Sequence, residues 1–221
     1  MSKEKELWMK STIALEKQDT FQLGPYFTHY VRHDPKHLCF TLSRYKFISK
    51  MLNPGGSVIE LGCSDGLGTM ILRQVSQHVT AVDFDHRVIE WAKGHLEDDG
   101  IQFYQDDILN LDKGEFDAVV SLDVIEHIYL ENEDVFLKAV VRHLKENGVA
   151  IVGTPNITAE KYATKNEQHV NLYTGERLKD TFQKYFHNVF LFGMNDEVLH
   201  TGNINMCHYL FVLCCNLKKG A

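Results

Sequence analysis

No stretch of this 221-residue chain is long and apolar enough to read as a membrane span, and residues 1–10 (MSKEKELWMK) are charged where a secretory leader would carry an apolar core. Cysteine is sparse and unpatterned. Cys39, Cys63, Cys207, Cys214 and Cys215 are odd in number and none stands in C-x-x-C spacing, which argues against both a disulfide framework and a zinc ribbon. Positive charge is outweighed, 23 Lys and Arg against 30 Asp and Glu, for a net charge of −7, so a nucleic-acid or anionic-membrane partner is disfavoured. Internal repeats, low-complexity tracts and the H-E-x-x-H spacing of a helical zinc site are missing too. The composition that remains is globular, 44% hydrophobic and 11% aromatic. The length suits a single domain with an ample core, and the expectation is a reduced, cytoplasmic enzyme without a metal.

Residues 57–69, SVIELGCSDGLGT, organise the rest. Val58, Ile59 and Leu61 form a short apolar run behind the turn signal Asn53-Pro54-Gly55-Gly56, which reads as a buried parallel strand with Glu60 near its end. Gly62, Ser64, Gly66 and Gly68 then make a turn tolerant of unusual backbone angles, with a helix starting near Leu67. Strand, glycine-rich turn and helix start together build a pocket where backbone approaches a ligand. About 20 residues past the first glycine a second strand ends in Asp83, where a nucleotide site places a carboxylate for ribose hydroxyls. A dinucleotide site would need G-x-G-x-x-G. Here the turn is Gly62-Cys63-Ser64-Asp65-Gly66, and the Glu60 and Asp65 carboxylates around it suit a cationic ligand end and repel a pyrophosphate. An NAD-dependent oxidoreductase is thereby the weaker rival.

The segment E-L-G-C-S-D-G (residues 60–66) resembles the E/D-x-G-x-G-x-G motif of class I S-adenosylmethionine-dependent methyltransferases, with Ser64 in place of the middle glycine. The resemblance implies S-adenosylmethionine as cofactor and S-adenosylhomocysteine as product. It assigns Glu60, Gly62, Cys63, Ser64, Gly66, Asp83 and Phe84 to cofactor binding. It also implies that the acid after the third strand receives the adenine amino group while an apolar neighbour packs on the ring. Asp107 with Ile108 matches best, and Asp106 is the runner-up; two adjacent acids after a strand equally suit a helix N-cap.

Along the chain, strands are expected over 58–61, 79–82, 101–104, 116–122, 149–152, 189–192 and 206–213, and helices over 36–52, 67–75, 87–95, 133–145 (stopped by Gly148) and from the Thr174 N-cap to 184. This alternation predicts an α/β fold, a Rossmann-like seven-stranded, mostly parallel sheet with helices on both faces and the last strand antiparallel. Residues 1–52 form a helical cap and 53–221 the cofactor-binding core of one domain. Leu38, Leu42, Tyr45, Ile48 and Leu52 mark the apolar face of the helix over 36–52. By resemblance, cap aromatics such as Tyr26 and Tyr30 wall off the substrate, unless they only pack; Arg44 is a weaker candidate for contact with the cofactor's carboxylate.

The stretch FDAVVSLDVIEHI (116–128) resembles the corresponding motif of small-molecule methyltransferases, placing Leu122 and Asp123 at the cofactor. It lacks the N-P-P-Y signature of enzymes that methylate DNA adenine or protein glutamine, which turns the acceptor toward a small molecule and toward oxygen. In overall pattern the chain resembles the branch that includes ubiquinone-biosynthesis O-methyltransferases. A hydroxyl acceptor needs a base, and histidine is the natural one near neutrality. Of twelve histidines, His127 follows the fourth strand and His169 lies in the loop QHVNLYT, so these are the catalytic candidates. Tyr173, Asn171, His29, His33 and His37 are weaker ones. His127 equally suits a helix start bonded to backbone, and His169 a loop brace. The expected function is methyl transfer from S-adenosylmethionine to a small-molecule hydroxyl of sugar, quinol or natural-product type. The alternatives are a small amine as acceptor, favoured by an acidic, aromatic-walled pocket, or a catalytically silent partner subunit that keeps the cofactor fold. Metal assistance to a catechol-like hydroxyl pair is disfavoured, because no paired-histidine spacing supports Asp123, Glu126 and His127 as ligands. The sequence leaves the oligomeric state open.

Overall fold

The β-branched run behind the turn at 53–56 folds as β1 (Ser57–Leu61), buried from Val58 onward. The computed structural model describes residues 1–12, 20–162 and 168–220; part of the polar span expected over 157–171, residues 163–167, lies outside them. β2 (His78–Asp83), β3 (Ile101–Gln105), β4 (Phe116–Leu122) and β5 (Leu144–Pro155) join β1 in parallel, and β6 (Phe186–Asn195), β7 (Val198–His200) and β8 (Tyr209–Leu217) complete the sheet. β8 inserts antiparallel between β5 and β6, giving an eight-stranded order β3-β2-β1-β4-β5-β8-β6-β7. The order reverses between β1 and β4, so a crevice opens beyond their C-terminal ends, where open α/β sheets bind ligands.

Among the described residues seven α-helices accompany the sheet: α1 (Lys3–Thr12), α2 (Pro25–His33), α3 (Pro35–Met51), α4 (Leu67–Arg73), α5 (His86–His95), α6 (Glu133–Arg142) and α7 (Gly175–Gln183). Strand side chains alternate between faces. Ile59, Leu61 and Val82 pack with Phe136 and Val140 of α6 and Phe182 of α7, whereas Val58 and Val79 meet Tyr45 and Ile48 of α3 and Leu72 of α4. Ala81 and Phe103 extend that second face to Ile89 and Ala92 of α5. Helix α1 buries no residue.

Three sequence expectations change. The sheet has eight strands, not seven, because the three-residue β7 turns back on β6 at Asp196, held in the left-handed region (φ 49°), and pairs with it with no apolar run to announce it. Helix α6 stops at Arg142, not at residue 145. The Phe116 N–H donates to the His143 carbonyl (2.8 Å) and Leu144 pairs with Phe116, so a residue counted on the helix face belongs to β5. Gly148 is therefore no helix cap; it lies in the irregular stretch between the Phe116–Leu144 and Ala118–Val149 pairs. Helix α3 turns Thr41, Arg44, Tyr45 and Ile48 inward, two of them polar, where Leu38 and Leu42 were expected to lead. The Thr174 N-cap is as expected, its hydroxyl accepting from the Arg177 N–H at 3.1 Å.

The α3–α4 contact is tight enough to test. A Cβ on Gly68 would sit 2.0 Å from Cζ of the buried Tyr45 ring. Gly68→Ala gains up to about 1 kcal/mol of helix propensity, but moving a packed ring costs about 1–3 kcal/mol. Net destabilisation, seen as a lower urea midpoint at unchanged slope, is expected.

Candidate active site

The crevice beyond β1 and β4 holds a cavity of about 650 Å³, within the range of small-molecule sites. Its floor is the turn after β1. Gly62 (φ 87°), Ser64 (φ 51°) and Gly66 (φ 81°) all take left-handed backbone, and a Cβ on Gly62 would lie 2.2 Å from Val124 Cγ2. Ser64, the departure from the glycine motif, is held by Asp83, whose Oδ2 accepts its N–H at 2.8 Å while Oδ1 accepts that of Asp85 at 3.0 Å. Burial raises the Asp83 carboxyl above its ordinary value, and these two backbone donors oppose the rise.

Gly62, Ser64, Asp83, Phe84, Asp107, Ile108, Leu122, Asp123 and His127 all line the cavity. Phe84 sits at the rim, 78% exposed. Asp107 keeps its carboxylate toward its own turn, accepting from Leu109 N–H (3.0 Å) and Asn110 Nδ2 (2.7 Å), while Asp106 does not line the cavity and pairs with Lys113. The structure thus puts Asp107 at the cavity and leaves Asp106 aside.

Glu60, Cys63 and Gly66 lie behind the wall. Glu60 is fully buried and accepts from Thr69 Oγ1 at 2.5 Å, and Cys63 is closed in under Ala81 and Phe103. None of the three expected at the ligand lines the cavity itself. Burial lifts the Glu60 carboxyl to about 7 against the Thr69 hydrogen bond. Asp65, read from sequence as a neighbour of a cationic ligand, instead accepts the Tyr26 and Phe27 N–H groups of α2 (2.8 and 3.1 Å). Arg44 reaches no ligand position of its own. It pairs with Asp123 at 2.7 Å, its guanidinium 3.5 Å from the Tyr209 ring centroid.

The opposite wall comes from the cap: Tyr26, Phe27 and Tyr30 of α2, then His37, Thr41 and Tyr45 of α3. Tyr30 and His37 stack at 3.9 Å. Thr41 and Tyr45 were not anticipated as lining residues; the signal was their i, i+4 spacing on α3. His29 and His33 lie off the cavity.

His127 ends a short 3₁₀ turn, Ile125–His127, after β4. Its Nδ1 lies 3.2 Å from the Gln168 carbonyl, which can only accept, so Nδ1–H donates to it and Nε2 is the ring nitrogen not engaged there. The loop carrying His169 is drawn in by the Glu126 backbone carbonyl, which accepts from Val170 and Asn171 N–H (2.8 and 3.0 Å). His169 thereby comes within 5.3 Å of His127, ring centroid to ring centroid. Glu126, His127 and His169 each offer a ligand atom, all within 4.8 Å of one another. The Glu126 carboxyl is buried, accepts from Thr154 (2.9 Å), and is pushed up by that burial and by Asp123. The expectation of no metal ligand set rested on local spacing, and the third member arrives from a remote loop. Asn171 and Tyr173 do not line the cavity; they are buried around Glu133, which Arg177 also binds at 2.6 Å.

No helix among the described residues is long and apolar enough to cross a membrane. Residues 59–152 match the model of a methyltransferase domain family. A ubiquinone biosynthesis O-methyltransferase of Rickettsia conorii is 35% identical over 108 residues, 48% of this chain and 37% of that protein. The chain spans about half the length, or less, of the curated relatives it matches. In fold it is similar to a SAM-dependent methyltransferase of Thermotoga maritima (TM-score 0.68, 20% identity, 86% of this chain and 96% of that one). It is similar as well to the N-methyltransferase NodS of Bradyrhizobium japonicum WM9 in complex with S-adenosyl-L-homocysteine (TM-score 0.61, 16% identity, 80% and 85%).

The raised Glu60 carboxyl has a consequence for stability. Between its ordinary 4.5 and about 7 the folded chain holds a proton that the unfolded chain has lost, so this contribution is full below pH 4.5 and is lost as pH rises through about 7. Chemical denaturation across that window is expected to show wild type losing stability more steeply with pH than Glu60→Gln.

Proposed function

We propose that this chain, whose residues 59–152 match the model of a methyltransferase domain family, binds S-adenosylmethionine in the crevice beyond β1 and β4 and methylates a small-molecule acceptor at a hydroxyl. The observation that carries the reading is that Asp83, Asp107, Ile108 and His127, remote in sequence, line one cavity. The residues present fit the cofactor. Asp83, with both oxygens already fixed by backbone, keeps lone pairs for ribose hydroxyls. Ile108 offers an apolar surface beside Asp107, and the left-handed turn at 62–66 gives close backbone approach. Bound S-adenosylmethionine supplies an activated methyl group and leaves as S-adenosylhomocysteine.

What the chain adds is alignment, exclusion of water and removal of the acceptor proton. The aromatic wall of α2 and α3 faces the sheet edge across the cavity and holds a planar or apolar acceptor body. The acceptor hydroxyl would give its proton to Nε2 of His127, whose Nδ1–H stays on the Gln168 carbonyl and steadies the ring. The name of the Rickettsia relative, an O-methyltransferase, is in keeping with a hydroxyl acceptor.

A second reading is favoured by the convergence of Glu126, His127 and His169. These three would hold a divalent cation that lowers the pKa of a bound hydroxyl. With Nδ1 committed, His127 has one nitrogen to give, so base and ligand are mutually exclusive roles. An amine acceptor is the remaining rival, supported by Asp85, Asp107 and Asp123 beside the aromatic wall.

Titration calorimetry should find micromolar S-adenosylmethionine and S-adenosylhomocysteine, no NAD, and roughly 10–100-fold weaker binding in Asp83→Ala, the loss expected for charge-assisted hydrogen bonds. A folded wild type that binds neither sulfur nucleotide sinks the reading. With an acceptor found by mass spectrometry, His127→Ala is expected to lose about 10²–10⁴-fold in kcat if it is the base, with wild type indifferent to EDTA. Activity abolished by EDTA and restored by a divalent cation, with His169→Ala as damaging as His127→Ala, would give the metal reading instead.

A further inference from the structure

The cap helix α2 carries three of the aromatic residues that wall the cavity, yet nothing in its own sequence caps it. Gly24 precedes it without a side chain, and Pro25 opens its first turn. The first turn is held by Asp65, from the turn under the cofactor site, whose Oδ2 accepts both Tyr26 and Phe27 N–H. A carboxylate at a helix N-terminus is favoured by the helix dipole, and a charged acceptor shared by two backbone donors belongs to the strong class of hydrogen bond. Asp65 is 1% exposed, and its other oxygen has no hydrogen-bond partner among the described residues. The geometry is close: a Cβ on Gly24 would lie 2.4 Å from Cβ, Cγ and Oδ2 of Asp65. Ser64, its neighbour in the chain, is bonded through its N–H to Asp83 on the cavity wall. One short turn therefore holds the ribose-side carboxylate at one residue and the acceptor wall at the next.

We propose that Asp65 is a positioning residue that latches α2 to the cofactor turn, so that occupancy of the cofactor half of the cavity seats the acceptor wall formed by Tyr26, Phe27 and Tyr30. The coupling rests on the methyltransferase reading, whereas the latch does not. Because linkage is reciprocal, a seated acceptor tightens cofactor binding by the same factor.

Hydrogen–deuterium exchange of the full chain, with and without S-adenosylhomocysteine, tests both halves. Without ligand, amides 26–33 are expected to exchange about tenfold faster or more in Asp65→Ala and in Gly24→Ala, while β1 and β2 stay as in wild type. Asp65→Asn, which keeps an acceptor oxygen without its charge, is expected between them and wild type. Saturation with S-adenosylhomocysteine should protect 26–33 in wild type and fail to do so in Asp65→Ala and Gly24→Ala, even though calorimetry shows both loaded. Gly24→Ala keeps the carboxylate and the turn intact, so it decides the matter if Asp65→Ala fails to fold. Unchanged exchange of 26–33 in the ligand-free variants overturns the latch. Equal ligand-induced protection in wild type and variants overturns the coupling. If wild type binds no S-adenosylhomocysteine, the cofactor reading and the coupling fall together, while faster ligand-free exchange in the variants still upholds the latch.

Discussion

Ser64 occupies left-handed backbone space, and the Asp83 carboxylate holds it there. A side-chain-bearing residue in that region gives up about 1–2 kcal/mol, and a hydrogen bond to a charged group returns a similar amount. The rest of the site depends on that balance. With Ser64 so placed, Gly62 can pass under Val124, Gly66 can start α4 against Phe103, and Asp65 turns outward beneath the cap. Asp83 itself is positioned by the parallel register of β1 and β2, which pairs Leu61 with Val82 and brings the two strand ends level.

The floor of the cavity, the turn after β1 with the acid that ends β2, was legible in the sequence because it follows from local chain geometry. A strand, a glycine-rich turn and an acid one strand later can meet in few ways once the strands are parallel, and Asp83, Asp107 and His127 came to the cavity edge accordingly. What sequence could not show is which way a residue in that turn faces. Glu60, Cys63 and Asp65 carry the right chemistry at the right spacing, yet they point down or outward, because alternation along β1 and the left-handed residues send successive side chains to opposite sides. The clustering of His169 with Glu126 and His127 was hidden for another reason. It depends on two backbone hydrogen bonds to the Glu126 carbonyl, and these leave no trace in side-chain pattern. β7 and the early end of α6 escaped similarly: backbone pairing fixed both, against periodicity in the case of Leu144.

Charge in the wall opposite the cap is arranged with economy. Arg44 is buried between Phe40 and Tyr209 and gives its guanidinium to Asp123, which holds left-handed backbone (φ 55°) at the end of β4. A buried cation is tolerated because it has this anion and two aromatic faces. A cap helix thereby reaches through to the strand end, so α3 belongs to the site as well as to its cover. The α2 latch and the α3 ion pair tie the cap to residues on either side of the sheet's switch point, after β1 and after β4. Tilting the cap would break a charge-assisted contact on one side or the other.

Glu126 decides what the remaining charge can be. Burial and the neighbouring Asp123 anion raise its carboxyl, so near neutrality it favours the protonated form, with Thr154 donating to one oxygen. In that form Glu126 adds no negative charge to the cluster with His127 and His169. A divalent cation would reverse this: ligation needs the carboxylate, so the cation would have to expel the Glu126 proton and also occupy the one free nitrogen of His127. Proton transfer by His127 and cation binding by the cluster thus compete for the same nitrogen, and the protonation state of Glu126 tips the choice. One residue, Glu126, thus bears on both the shape and the charge of this corner of the cavity, its backbone carbonyl fixing the His169 loop and its buried carboxyl facing the two histidines.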